Sequence, residues 1–195
     1  MDNSITTGEI VRQVAVRWDM ANGDPEGDPI QTEVRRLKDL AGVFSDENAY
    51  AMMNPEKEIY RVSFWSPVAP GTTGGLFIGS SRIMPGRVGA EYFMTKGHFH
   101  DRQESAEFYW GVKGEGLLLL MDADRKCRAE KVAAGSVHYI PAFTAHRLVN
   151  VGTIPLICGA CWPSDAGHDY ARIAKTGFSV RVFMKDALPF IQHIH

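Results

Sequence analysis

From Glu58 onward, apolar residues fall in short runs separated by Gly, Pro, Asp and Asn, and the longest uninterrupted run is Leu117 to Met121. That punctuation predicts strands at 58–65, 76–84, 91–99, 107–112, 116–122, 127–132, 136–140, 147–151, 156–162 and 178–183. Turns such as Pro85-Gly86, Lys113-Gly114-Glu115-Gly116 and Val151-Gly152 separate them. Short strands so regularly spaced, without helices between them, predict an all-β sandwich or barrel and exclude a parallel α/β sheet.

Upstream the period changes. Thr32 is a candidate cap, and Val34, Leu37, Leu40, Ala41 and Phe44 recur at helical spacing, with Arg35, Arg36, Lys38 and Asp39 on the other face. A helix ending at Gly42 is predicted, followed by a helical turn near Ala49–Met53 that Asn54-Pro55 stops. Asp165–Thr176 reads as a late helix or ordered loop. The Ile191–His195 tail, despite its His-x-His, reads as a frayed, chemically silent end. Residues 1–30, with the turn-rich Gly23–Pro29, form an N-terminal extension, and 31–195 form a single domain.

A formal net charge of -2 over 195 residues gives no electrostatic reason to expect nucleic acid or a membrane surface as partner. No stretch approaches the ~18 apolar residues of a membrane span, and the first residues do not resemble a secretion signal, so a cytoplasmic protein is expected. Three cysteines do not make a disulfide framework. Cys158-Gly159-Ala160-Cys161 lies within an apolar strand, where residues three apart face opposite ways, so both thiols read as structural.

The densest chemistry lies between Thr95 and Tyr109. His98 and His100 are two apart, so an extended chain presents both imidazoles on one face, and Glu107 opens the next strand after a polar loop. Two imidazoles and a carboxylate suit a divalent transition ion. A second segment, Pro141-Ala142-Phe143-Thr144-Ala145-His146 followed by Asn150, makes a turn that aims His146 toward the same interior. His138 reads instead as a packed strand histidine.

The two segments resemble the paired motifs of the cupin superfamily, G-x5-H-x-H-x3-4-E-x6-G and G-x5-P-x-G-x2-H-x3-N. Glu107 to Gly114, and Gly135, Pro141, His146 and Asn150, fall in register. Two departures stand out: six residues separate His100 from Glu107, and Phe143 occupies the glycine position. Together with Glu91–His100, Pro163–Tyr170 and Arg35–Phe44, they resemble the cupin-type glucose-6-phosphate isomerases over roughly 32–182.

The resemblance implies a cupin-type β-barrel, a jelly-roll-like double sheet with a short N-terminal helical segment. It implies one divalent metal on His98, His100, His146 and Glu107, with Fe2+ foremost and Mn2+, Zn2+, Ni2+ or Co2+ as alternatives. Thr95, Gly97 and Ser81 would take the substrate phosphate. Tyr109 and Tyr170 would line the sugar pocket, with His168 near the ring, placing Tyr109 and His168 beside Glu107 among the catalytic residues. Trp162 stands where that family has a tyrosine, and its indole N–H can donate but not accept. The implied activity interconverts glucose 6-phosphate and fructose 6-phosphate, a step of glycolysis and gluconeogenesis, through an enediol(ate) with Glu107 as base and within a homodimer. A metal-dependent dioxygenase and a non-catalytic sugar-binding barrel are the alternative readings of the same ligand pattern.

Overall fold

The computed structural model describes residues 14–194. The first part of the expected N-terminal extension, and His195, lie outside the described residues. The chain opens with a two-residue ladder, β1 (Arg17–Trp18) and β2 (Pro25–Glu26), then β3 (Ile30–Arg36), a 3-10 turn at Leu37–Leu40 and α1 (Glu47–Met52). Strands β4 (Glu58–Trp65), β5 (Leu76–Ile83), β6 (Arg87–Val88) and β7 (Glu91–Tyr92) precede the site; β8 (Glu107–Lys113), β9 (Glu115–Met121), β10 (Cys127–Ala133), β11 (Val137–Ile140), β12 (Ala145–Asn150) and β13 (Leu156–Pro163) follow it. Helix α2 (Tyr170–Thr176) and a hairpin of β14 (Val180–Lys185) and β15 (Leu188–His193) end the described chain.

The predicted all-β architecture is present as antiparallel sheets. The largest is ordered β11-β8-β13-β5-β4-β3, and a second is ordered β10-β9-β12. Between them Tyr60, Ile83, Tyr109, Leu118, Leu120 and Leu148 share one buried cluster. Burying such side chains is the main favourable term in folding. Cys158 belongs to that cluster and Cys161 is half-buried; both thiols are free, and burial pushes both above the usual thiol range.

The helix expected from Thr32 is instead β3. It pairs antiparallel with β4 from Ile30↔Trp65 to Arg36↔Glu58, and the Thr32 hydroxyl meets Ser63 across the ladder at 3.0 Å rather than capping a helix. Long-range pairing overrode local period, because without β3 the outer edge of β4 would lack its main-chain partners. The apolar spacing survives only in the 3-10 turn, where Leu37 and Leu40 are buried. Two other expectations change. The run 91–99 is regular only at Glu91–Tyr92 and continues through isolated bridges, Met94 with Val149, His98 with His146 and Phe99 with Asp169. The tail is not frayed through His193, since β15 pairs with β14 around Asp186 and Ala187, both at positive φ as a two-residue hairpin turn requires.

Residues 17–26 pack onto the outer face of the large sheet. Trp18 meets Trp110 at 5.4 Å between ring centroids, and Asp24 bonds Ser80 and Arg82. His138 is a packed strand histidine, held between Glu130 (2.7 Å) and Ser136 (2.9 Å).

Asn150 shows what its motif position does. Fully buried, its amide donates to the carbonyls of Ile83 and Ile154 at 2.9 Å each, and its side-chain oxygen accepts from Gly152 N–H at 2.9 Å. Asn150→Ala is expected to cost about 2–4 kcal/mol by stranding those main-chain groups. Urea unfolding checks this, and a change below about 0.5 kcal/mol, the size of an ordinary surface substitution, would refute the role. Phe143 has φ +60°, which explains why the general motif prefers glycine there.

Candidate metal centre and substrate cavity

The 95–99 segment crosses beside β12, with His98 N–H donating to the His146 carbonyl (3.3 Å) and His146 N–H to that of His98 (3.0 Å). This reciprocal bridge sets the two imidazoles against each other at 4.3 Å between centroids; His100 lies 5.6 Å from His98 and 5.2 Å from His146. One ring nitrogen from each of the three falls within 4.8 Å of the others. Glu107, at the start of β8, places Oε2 3.2 Å from His100 Nε2 and 3.2 Å from His146 Nε2. It does not join the mutual 4.8 Å set, so it flanks the histidines on the His100 and His146 side.

The nitrogens of this cluster are poorly satisfied. His98 Nε2 and both ring nitrogens of His146 are buried without a hydrogen-bond partner, the Glu107 approach to His146 lying off the line of a hydrogen bond. Buried polar atoms are normally paired, so an unpartnered nitrogen on each of His98 and His146, within 4.8 Å of the other and of a His100 nitrogen, marks a place for a cation. His100 Nδ1 sits 3.2 Å from the Ser105 carbonyl. Donation there leaves Nε2 with its lone pair toward Glu107, and only a shared proton or a cation reconciles that lone pair with a carboxylate. These residues therefore fit a divalent metal.

The electrostatics agree. Burial, with three neighbouring imidazoles, holds His98 well below the usual histidine range, as a neutral ligand requires. Burial also lowers His100, but the bond and charge of Glu107 outweigh it and raise that imidazole. Burial alone would raise Glu107, yet its contacts with His100 and His146 keep it below the ordinary carboxylate range. Burial, and then the Glu107 charge, push Tyr109 well above its usual range, so it stays a neutral phenol.

Above the cluster opens a cavity of about 440 Å³. Every residue expected in the substrate site borders it: Ser81, Thr95, Gly97, Tyr109, Trp162, His168 and Tyr170, with His98, Glu107 and His146 at one end. His100 does not line it and sits behind, against Glu107. The Thr95 Oγ1 accepts the Leu148 N–H at 3.1 Å, which leaves its O–H to donate to a ligand. Trp162 meets Phe77 edge-on at 6.1 Å and Phe64 at 6.3 Å, forming an apolar wall. His168 stacks on Tyr170 and stands 4.4 Å from the His98 ring, while its N–H donates to Asp101 at 3.0 Å; it is both pocket side chain and turn.

The six-residue spacing before Glu107 has a structural use. Its loop binds the segment that carries His168 and Tyr170, through Asp101 to His168 N–H, Arg102 to Asp165, and Arg102 N–H to the Ala166 carbonyl. Among the cavity residues that escaped the sequence reading are Glu33, Arg35 and Tyr60. Alternation within 58–65 already groups Tyr60 with Val62 and Phe64, which also line the cavity. Glu33 and Arg35 were hidden by the helical reading of their strand.

The family model "Glucose-6-phosphate isomerase (GPI)" matches residues 34–194. Glucose-6-phosphate isomerase of Thermococcus kodakarensis is 41% identical over 154 residues, 78% of this chain and 80% of that protein. The enzyme of the same name from Pyrococcus furiosus is 38% identical over 164 residues, 84% and 86% of the two chains. Among solved structures, a deletion mutant of Bacillus subtilis oxalate decarboxylase is similar over 58% of this chain and 28% of its own, at 21% identity and a TM-score of 0.44. The length of the family match, together with relatives near 40% identity along most of both chains, makes this chain a member of the cupin-type glucose-6-phosphate isomerase family.

Proposed function

We propose that this chain interconverts glucose 6-phosphate and fructose 6-phosphate, with His98, His100 and His146 holding a divalent ion and Glu107 moving the proton. The carrying observation is the placement of Glu107: it touches two of the three imidazoles, yet faces the cavity rather than joining their mutual cluster. A bound ion would supply Lewis-acid stabilisation of negative charge developing on the substrate oxygens at C1 and C2.

The chain's own residues do the rest. Glu107, held ionised by its histidine neighbours, takes the proton from the carbon beside the carbonyl and returns it to the adjacent carbon of the enediolate, while the hydroxyl proton passes from the oxygen that becomes the carbonyl to the oxygen that ceases to be one. Tyr109, kept a neutral phenol, donates a hydrogen bond to a sugar oxygen. Thr95, Ser81 and the Gly97 N–H receive the phosphate, while the Trp162, Phe77 and Phe64 wall limits water beside it. Tyr170 and His168 hold the sugar from the opposite side.

Fe2+ is the first ion to supply. A pair of chains is the proposed assembly, supported by Phe108, Val137, Tyr139 and Phe143, apolar side chains each about half or more exposed in neighbouring strands and the following turn. The activity is tested by coupling glucose 6-phosphate formation from fructose 6-phosphate to a reporter dehydrogenase, before chelation, after it, and after return of each divalent ion. Activity is expected to fall with chelation and recover on metal return. No turnover in fully metallated protein would overturn the assignment.

A further inference from the structure

The groups proposed to receive the phosphate, Thr95, Ser81 and the Gly97 N–H, are neutral, and the neighbouring wall of Val62, Phe64, Phe77 and Trp162 is apolar. A phosphate dianion entering such a wall loses hydration that neutral donors replace only in part. Among the described residues that line the cavity, Arg35 alone carries a permanent positive charge. The other cations nearby are engaged differently: the Lys96 ammonium lies over the Tyr170 ring at 5.4 Å, and buried Arg147 lies beneath the turn, donating to the Lys96 carbonyl at 2.6 Å.

Sheet register puts Arg35 next to the phosphate end. Arg35 pairs with Tyr60, and the Tyr60 hydroxyl lies 3.5 Å from the Lys96 N–H, against the Thr95–Gly97 turn. One row along, Glu33 pairs with Val62 and Val62 with Ser81. Two strand spacings, roughly 10 Å, therefore separate the backbones of Glu33 and Ser81. The Arg35 guanidinium bonds Glu33 Oε2 at 2.6 Å, and the two side chains are 36% and 52% exposed. An exposed ion pair is weakly held, whereas a phosphate offers the guanidinium a two-pronged, doubly charged partner.

We propose that Arg35 is a phosphate-binding residue of this site and that Glu33 is its intramolecular stand-in, a carboxylate that occupies the guanidinium until the substrate phosphate displaces it. The inference rests on the isomerase reading for the identity of the phosphate ester, but not for the binding of an anion. Glu33 then sets a threshold: weakly competing anions leave the ion pair intact, and a dianion breaks it.

The test uses the metal-loaded full chain, wild type, Arg35→Met, Arg35→Lys and Glu33→Gln, with two readouts. Calorimetric titration with inorganic phosphate, which needs no turnover, is expected to show affinity reduced about tenfold to a hundredfold in Arg35→Met and less in Arg35→Lys. Glu33→Gln is expected to bind phosphate more tightly, by a few-fold as for loss of a weak surface pair. In the isomerase assay Arg35→Met raises KM for fructose 6-phosphate while kcat falls far less. Melting temperatures report folding, and an exposed pair predicts little change.

Wild-type phosphate affinity in a folded Arg35→Met overturns the proposal. Phosphate binding weakened as much by Glu33→Gln as by Arg35→Met overturns the stand-in role, because Glu33 would then orient Arg35 rather than compete for it. Loss of phosphate binding in Arg35→Met with no isomerase activity even in wild type supports Arg35 and overturns the isomerase reading instead.

Discussion

Glu107→Gln is expected to lower kcat by roughly a thousandfold, the scale of a lost general base, while leaving the three-histidine centre metallated. The substitution keeps shape and removes charge. Glu107 is 6% exposed and contacts His100 and His146, so an isosteric amide preserves the packing of that corner. Two measurements divide its roles. Metal content after dialysis reports whether the carboxylate holds the ion; solvent deuterium in the product reports whether it carries the proton.

The geometry predicts that metal affinity falls modestly, because Glu107 flanks the mutual cluster of His98, His100 and His146 rather than completing it. Turnover and deuterium incorporation are expected to fall together. Rapid solvent exchange retained in Glu107→Gln would sink the proton-transfer role. Complete loss of metal with the folded state intact would make Glu107 chiefly a ligand. His146→Ala is the useful contrast, since it removes a member of the cluster and should lose metal and activity in parallel.

How much of this was legible in the chain depends on what fixed each element. Strands β4, β8, β10 and β13 fell where alternation and turn residues placed them, because each is bounded by local punctuation. The histidine cluster able to hold a metal was legible for a similar reason: two of its members come from one short extended segment, with Glu107 beside them from the next strand. His146 was reached through the Pro141–Asn150 pattern, and the structure joins it to His98 by a reciprocal main-chain bridge.

What escaped was set by distant partners. Residues 30–36 carry a helical apolar period, yet β4 offers an open ladder and takes them as a strand. That misreading turned Arg35 toward solvent and concealed the charged rim of the cavity. The tail was missed because neither Asp186 nor Ala187 announces a hairpin turn as Asn-Gly would, although both adopt positive φ. The spacing before Glu107 was legible as a departure; its purpose, tying down the His168–Tyr170 segment, needed the Asp101 and Arg102 contacts.

Gly97→Val is expected to damage folding, metal binding and phosphate binding at once. Gly97 has φ +72°, a region that a β-branched residue resists. A Cβ there would also sit 2.7 Å from Phe178 Cε2, 3.0 Å from the His146 carbonyl oxygen and 3.1 Å from Arg147 Cβ. The ring can be displaced only against a buried neighbour, for Phe178 is 1% exposed and lies 4.3 Å from the Arg147 guanidinium. The His146 carbonyl is less able to yield, since it accepts the His98 N–H and thereby fixes two of the three imidazoles. Moving it shifts His98 relative to His146 and turns the Gly97 N–H away from the cavity. A stability loss of about 2–4 kcal/mol follows from strain plus overpacking. Metal affinity should fall about tenfold to a hundredfold, as when the groups that orient ligands are disturbed. Gly42→Val separates strain from site damage: its φ is +75° but a Cβ there meets nothing within 4 Å. That control should lose some stability and keep its metal and turnover. Equal metal loss in both variants would show that the centre responds to global destabilisation, and wild-type metal affinity in Gly97→Val would show that the 95–98 turn does not set the histidine geometry.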